Sequence, residues 1–253
     1  MMRFYYISII MTSNIYFASF GGPSTEYHNA LKRICGEAQQ FGIFTKIFGF
    51  TDIYLKNDIE LWNTHGRFIE SNPRGYGYWL WKSYLVKNQL KSMNEGDVLV
   101  YADSGCTLNI NGKARLIEYI DMCKNHESGI VSFQLPHIEH NWTKNDIIQH
   151  LNASNEIISS GQLVGTVFLV RKCRHVIELV DKWYETCCCY NLINDTPSLT
   201  PNHPTFVENR HDQSIWSILR KQHCSVILSD ETYFRNWNAD GVYFPFWATR
   251  KKH

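Results

Sequence analysis

The spacing of apolar positions divides the chain into alternating strands and helices. Ile15-Tyr16-Phe17-Ala18-Ser19-Phe20 is a first apolar strand, closed by Gly21-Gly22-Pro23. Over residues 25–40 the apolar positions Ala30, Leu31, Ile34 and Ala38 recur at the helical period and give one inner stripe. Gly42 ends that helix, and Ile43 to Phe48 is a second strand, so the chain opens with a strand–helix–strand crossover unit. Leu55 to Ile69 has a helical pattern and carries the chain to Pro73.

The pattern is most informative from Pro73 to Leu108. Nothing breaks a helix from Tyr78 to Met93, where Trp79, Val86, Leu90 and Met93 fall within about 60° at the helical period. Lys87 and Lys91 point the other way, to solvent. Lys82 sits inside the apolar arc, where an ammonium costs desolvation free energy unless a negative charge meets it. After the stop signal Asn94-Glu95-Gly96, Val98-Leu99-Val100-Tyr101-Ala102 shows no alternation and reads as a strand buried on both faces. Asp103-Ser104-Gly105 follows at once, at the carboxyl end of that strand, where open α/β sheets bind ligands.

Leu116 to Cys123 is a helix and Gly129 to Phe133 another buried strand. Thr143-Lys144-Asn145-Asp146 has the form of a capping box opening a helix to Leu151. Thr166 to Val170 is a strand, Val176 to Cys189 an amphipathic helix, and 190–210 a long proline-spotted loop of the kind that tends to be functional or disordered. A helix over Ser214 to Lys221 and a strand over Cys224 to Leu228 complete the pattern. This order predicts a single α/β, Rossmann-like domain over 1–253, its mostly parallel central sheet flanked by helices. Residues 1–14 form an N-terminal extension and 235–253 a C-terminal tail, whose Arg250-Lys251-Lys252 is expected to be solvated.

Composition narrows the partners. Lysine and arginine total 25 against 24 acidic residues, a balance that argues against nucleic acid or anionic membrane as the main partner. No run reaches the ~18 apolar residues of a transmembrane segment. The eight cysteines include no CxxC pair, and a chain of 253 residues needs no disulfide framework, so free thiols in a reducing, cytoplasmic compartment are expected.

Asp103 is the sharpest candidate for chemistry. A carboxylate at a strand exit binds a divalent cation that neutralises a diphosphate, although it also suits a cap on the following turn. Arg74, relieved by Gly75 and Gly77, and the inward Lys82 are the nearby cations, and an arginine forks onto phosphate oxygens. Asp212 begins a helix beside Arg210 and His211, as an acid–base cluster or as a first-turn acid favoured by the helix dipole. Trp142, Lys144 and Asp146 offer a sugar-contacting edge, although Trp142 equally suits a hydrophobic staple.

Taken together, PRGYGYWLWKSY, GDVLVYADSGC, SFQLPHIEHNWTKND, SSGQLVGTVFLVRK, NLINDTPS and ENRHDQSIWSILRK resemble small nucleotide-sugar-dependent glycosyltransferases of the GT-A fold, carried by bacteria and large DNA viruses. The resemblance implies transfer of a hexosyl or pentosyl group from a nucleoside-diphosphate sugar to a hydroxyl, glycan acceptor. It implies that Asp103 holds Mn²⁺ or Mg²⁺ on the donor diphosphate, with His211 completing the metal shell or binding phosphate. Phe17, Ser19 and Ala102 would line the nucleotide, and Arg74 and Lys82 would sit near the diphosphate. Asp212 would face the anomeric carbon, as general base if configuration inverts or as stabiliser of an oxocarbenium-like centre if it is retained. The chain departs from the Asp-x-Asp motif at Gly105, which offers only a backbone carbonyl. That departure keeps open a catalytically silent sugar-nucleotide or glycan-binding module; a metal-dependent hydrolase of nucleotide sugars is a third alternative. The tail Arg250-Lys251-Lys252 could fold over the diphosphate, although a solvated terminus is expected.

Overall fold

The computed structural model describes residues 13–252, so nearly all of the expected N-terminal extension lies outside the described residues. Strands β1 (Ile15–Gly21), β2 (Lys46–Thr51) and β3 (Val98–Ala102) run parallel, with β1 between the other two. Two further strands, β4 (Thr107–Leu108) and β9 (Phe246–Trp247), form a small antiparallel ladder beside the main sheet. In the main sheet, β7 (Val167–Arg171) pairs antiparallel with β3 and with β5 (Ile130–Ile138). β5 also takes β6 (Gly161–Leu163) antiparallel and β8 (Val226–Ser229) parallel. The result is one α/β domain with a mixed, mostly parallel sheet: β7 and β6 alone run against the common direction among the seven strands described.

The absence of alternation in β3 is explained by two cores. Leu99 and Tyr101 enter one, with helices Leu80–Ser92, Arg174–Cys187 and Asp212–Gln222. Val98, Val100 and Ala102 enter the other, with helices Thr25–Gln40 and Lys113–Asn125. Helix Thr25–Gln40 buries Ala30, Leu31, Ile34 and Ala38, the stripe its periodicity predicts, and Ser24 caps its first turn. All eight cysteines are unpaired. No helix of the described residues is long and apolar enough to cross a membrane.

Several elements differ from the sequence expectation, each for a local reason. The second strand is displaced to Lys46–Thr51. The helix expected over Leu55 to Ile69 is two helices, Asp52–Asn57 and Ile59–Ser71, divided at Asp58, whose carboxylate caps the second by accepting from Leu61 N at 3.0 Å. Helix Leu80–Ser92 is buried on most sides, not along one arc, because Trp81, Ser83, Tyr84, Leu85 and Gln89 are enclosed as well. The capping box at Thr143 does not form: its hydroxyl donates to Glu139 Oε1 at 2.8 Å, and helix Asn145–His150 begins without a side-chain cap. Nor does residue 235 begin a loose tail, since Phe246 is buried in the core and the backbone of Phe244–Pro245 lies on Gly112. A β-carbon on Gly112 would stand 2.2 Å from Pro245 N.

Candidate active site

An unusual turn leads into the site. Residues Gly75, Tyr76, Gly77, Tyr78 and Trp79 all have positive φ, from 52° to 83°. Tyr78 N donates to Arg74 O at 2.9 Å and Trp79 N to Gly75 O at 3.1 Å, so the segment is one turn of left-handed helix. For Tyr76, Tyr78 and Trp79 this costs roughly 1–2 kcal/mol each through the crowding of Cβ against the next carbonyl. Glycine is required at 75 and 77: a β-carbon would meet the Trp79 ring at 2.3 Å in one case and Ile69 Cγ1 at 2.8 Å in the other. The turn presents Tyr78 and Trp79 to the imidazole of His211, with ring centroids 5.1 and 5.2 Å away. Strain held in this way by surrounding packing is typical of functional positions.

The turn also delivers Lys82 to the interior on the first turn of the helix that follows. The ammonium is 3.0 Å from Asp103 Oδ1, 3.8 Å from Asp212 Oδ2, and donates to Gly165 O at 3.2 Å. Burial alone would pull the Lys82 pKa down, but the carboxylates of Asp103 and Asp212 outweigh it and the net shift is upward. The demand for a negative partner, legible at Lys82 in the sequence, is met by two carboxylates.

Those carboxylates stand in different surroundings. The Asp103 side chain is 31% exposed, and its Oδ1 also accepts from Tyr101 Oη at 2.8 Å. The Asp212 side chain is 4% exposed, and its Oδ2 has no hydrogen-bond partner among the described residues. Burial pushes the Asp212 pKa up to about 7; Lys82 opposes this and Asp103 adds to it. Asp212 is therefore a nearly sealed acid beneath Lys82, and Asp103 is the carboxylate that meets solvent.

His211 has φ 56° and ψ −123°, a backbone region costly for any side chain. Its Nδ1 lies 2.6 Å from Ile193 O, which makes Nδ1 the donor and leaves Nε2 as an acceptor. Burial lowers its pKa and keeps the ring neutral. Nε2 is buried, unpartnered among the described residues, and 3.9 Å from Asp195 Oδ1.

Other expected site residues are placed differently. Phe17 is fully buried, its ring packed on Phe44, and lines no open surface. Ser19 and Ala102 are also fully enclosed. Arg74 is at the surface but already paired with Asp195 at 3.0 Å and Glu208 at 3.3 Å, both from the long loop. The indole of Trp142 is covered by the Arg210 guanidinium at 4.2 Å. Both Asp146 oxygens hold the long loop, accepting from Leu199 N at 2.8 Å and Thr200 N at 3.0 Å. Trp142 and Asp146, both half-buried, thus help to build the wall of this region.

The donor set does not fit the divalent cation that the resemblance implies. Asp103 and Asp212 already share an ammonium, Asp212 Oδ2 is sealed, and His211 Nε2 is buried. Among the described residues no three His, Cys, Asp or Glu side chains converge as a metal site. An open groove of about 380 Å³ lined by Tyr16, Phe48, Phe50 and Tyr54 lies elsewhere, and none of the residues around Lys82 line it.

Tyr101, Asp195 and Glu208 complete the site without having been singled out in the sequence. Tyr101 was within reach, since it precedes Asp103 by two residues on the same strand face. The two acids lie in an irregular loop, where no periodicity gives their partner.

No protein-family model matches the chain, and no curated protein sequence matches it. Among the solved structures that align with it are two glycosyltransferases. One is a glycosyltransferase involved in the glycosylation of the major capsid of PBCV-1, at TM-score 0.48 and 11% identity over 92% of this chain and 91% of that one. The other is mouse xyloside xylosyltransferase 1, at TM-score 0.45 and 10% identity over 94% and 96%.

Proposed function

We propose that the chain is a GT-A-like glycosyltransferase, moving a sugar from a nucleoside-diphosphate sugar to a hydroxyl of a glycan acceptor. The observation that carries this reading is Asp103, part exposed at the carboxyl end of β3 and ion-paired at 3.0 Å with the buried Lys82. The ordered motif blocks from Pro73 to Lys221 support it, because Lys82, Asp103 and Asp212, each from a different block, converge on that point.

In this reaction the bond between the anomeric carbon and the β-phosphate oxygen breaks, and the diphosphate leaves with the electron pair. The acceptor oxygen forms the new bond and gives up its proton. Lys82 supplies a preorganised positive charge beside the departing diphosphate, held in place before the reaction starts. Asp103 is the carboxylate within reach of substrate and takes the acceptor proton. Asp212 is closed to an incoming hydroxyl in this conformation, so we assign it the electrostatic role: it sets the field of Lys82 from below. No step runs through a divalent metal.

Incubation with a panel of UDP-, GDP- and dTDP-sugars and a glycan mixture tests it. Nucleotide release coupled to a glycosylated product, abolished in Asp103→Ala, is the expected result. Donor binding without turnover identifies a binding module, and release that no acceptor accelerates identifies a hydrolase.

A further inference from the structure

Residues 249–252, of which Arg250-Lys251-Lys252 are expected from the sequence to be solvated, lie along the Asp103-Ser104-Gly105 turn. Lys251 N donates to Gly105 O at 2.8 Å, the Thr249 hydroxyl donates to the same carbonyl at 3.2 Å, and the Thr249 and Thr107 hydroxyls are 3.0 Å apart. Arg33 fastens the two segments together, donating to Ser104 O at 2.9 Å, Cys106 O at 3.0 Å and Lys251 O at 3.2 Å. Lys252 Nζ lies 5.3 Å from the centre of the Tyr27 ring. This strap packs against the position where the motif carries its second carboxylate: a β-carbon on Gly105 would stand in ordinary contact with Arg250 Cα at 3.4 Å and Lys251 N at 3.9 Å.

The strap leaves its charges free. Arg250, with φ 55°, and Lys251 are both exposed and make no ion pair among the described residues. The Arg210 guanidinium is close enough to feel the positive charges of both Arg250 and Arg74. Asp103 therefore has a buried ammonium on one side and uncompensated cations on the strap across its turn.

We propose that the strap is a built-in cation clamp, in which Arg250 and Lys251 close on the donor diphosphate beside Asp103 while Lys82 supports it from beneath, so that the donor binds without a divalent metal. The proposal rests on the glycosyl-transfer reading of the Asp103 site. Guanidinium and ammonium groups supply the charge and the forked donors that phosphate oxygens need, without a coordination shell.

Calorimetric titration with UDP, GDP and dTDP, in EDTA and in Mn²⁺, tests it on the wild type and on an Arg250→Ala/Lys251→Ala variant. One nucleotide is expected to bind with the same affinity in both media. The variant is expected to lose on the order of tenfold or more, the size of one lost charge-assisted hydrogen bond, with no recovery in Mn²⁺. Its melting temperature without ligand is expected to be unchanged, because the substituted side chains are exposed. Binding seen only with Mn²⁺ overturns the clamp and leaves the glycosyl-transfer reading standing, as does metal-free binding that the variant retains in full. If no nucleotide binds in either medium, the donor reading itself fails and the clamp fails with it.

Discussion

Lys82 Nζ and Asp212 Oδ2 stand 3.8 Å apart inside the protein, and the same ammonium reaches Asp103 Oδ1 at 3.0 Å. One positive charge is shared by two carboxylates, one of them buried. Removing the cation leaves the carboxylates facing each other, and breaking a buried pair from one side costs about 3–5 kcal/mol. Lys82→Met is expected near the lower end, about 3 kcal/mol, because water still reaches Asp103. Urea unfolding measures this, and Asp212→Asn in the same chain should recover part of the loss by removing the uncompensated buried charge.

The pKa of Asp212, near 7, gives the donor affinity a direction with pH. Below about pH 7 Asp212 is protonated and the positive charge of Lys82 faces outward less compensated; above it, two carboxylates oppose one ammonium. Affinity for an intact nucleotide sugar, whose pyrophosphate diester does not titrate in this range, should fall as pH rises through about 7. Tyr101, Cys187 and Arg220 also face this region, but the Tyr101 and Cys187 pKa values are pushed well up by burial, and Arg220, pulled down to about 9, stays protonated. Asp212→Asn should flatten the profile. Stability follows the same sign: the folded pKa lies above the ordinary value of 3.8, so the fold loses stability as pH rises from about 4 to about 7 and then levels off. Melting curves of wild type and Asp212→Asn should diverge across that window in favour of the variant.

How far the sequence reaches is clear from these residues. Helix Thr25–Gln40 and strand Val98–Ala102 are legible because burial writes directly into periodicity. Lys82 and Asp103 are legible because an inward lysine demands an acid and a strand exit offers one. The left-handed turn at 75–79 is not: Tyr76, Tyr78 and Trp79 have no local preference for positive φ, and tertiary contacts with His211, Ile69 and Trp81 impose it. The pairing of Arg74 with Asp195 and Glu208, and the docking of the strap on Gly105, join distant parts of the chain, where spacing carries no information.

The left-handed turn predicts a sharp sensitivity at Gly77. Its φ is 83°, and a β-carbon added there would stand 2.8 Å from Ile69 Cγ1 and 3.0 Å from Ile69 Cα. Alanine therefore meets both backbone strain and a clash with helix Ile59–Ser71. Gly77→Ala should destabilise the protein by about 2–4 kcal/mol, the sum of the left-handed penalty and overpacking. Gly96→Ala shares the positive φ (86°) but has open space around it, and should cost only about 1 kcal/mol. Chemical denaturation of the pair separates packing at the turn from backbone strain alone.

Asp146 serves as the last test, because its observed contacts give it a structural role that an acceptor role can be measured against. Its Oδ1 accepts from Thr200 N at 3.0 Å and Thr200 Oγ1 at 2.8 Å, and its Oδ2 from Leu199 N at 2.8 Å. Burial raises its pKa, but these hydrogen bonds and Lys144 lower it further, so the net shift is downward and the tether is lost only as pH falls through the acid range. The loop it holds carries Asp195 and Glu208, the partners of Arg74, so releasing the loop frees Arg74 as well. Asp146→Ala should cost about 1–2 kcal/mol locally, for bonds accepted by a partly buried carboxylate, with little effect on the global melt. Amide exchange at Leu199 and Thr200 should accelerate, and proteolysis should concentrate between residues 195 and 208. If Asp146 instead bound the acceptor, the variant would raise the acceptor KM while exchange in the loop stayed as in the wild type.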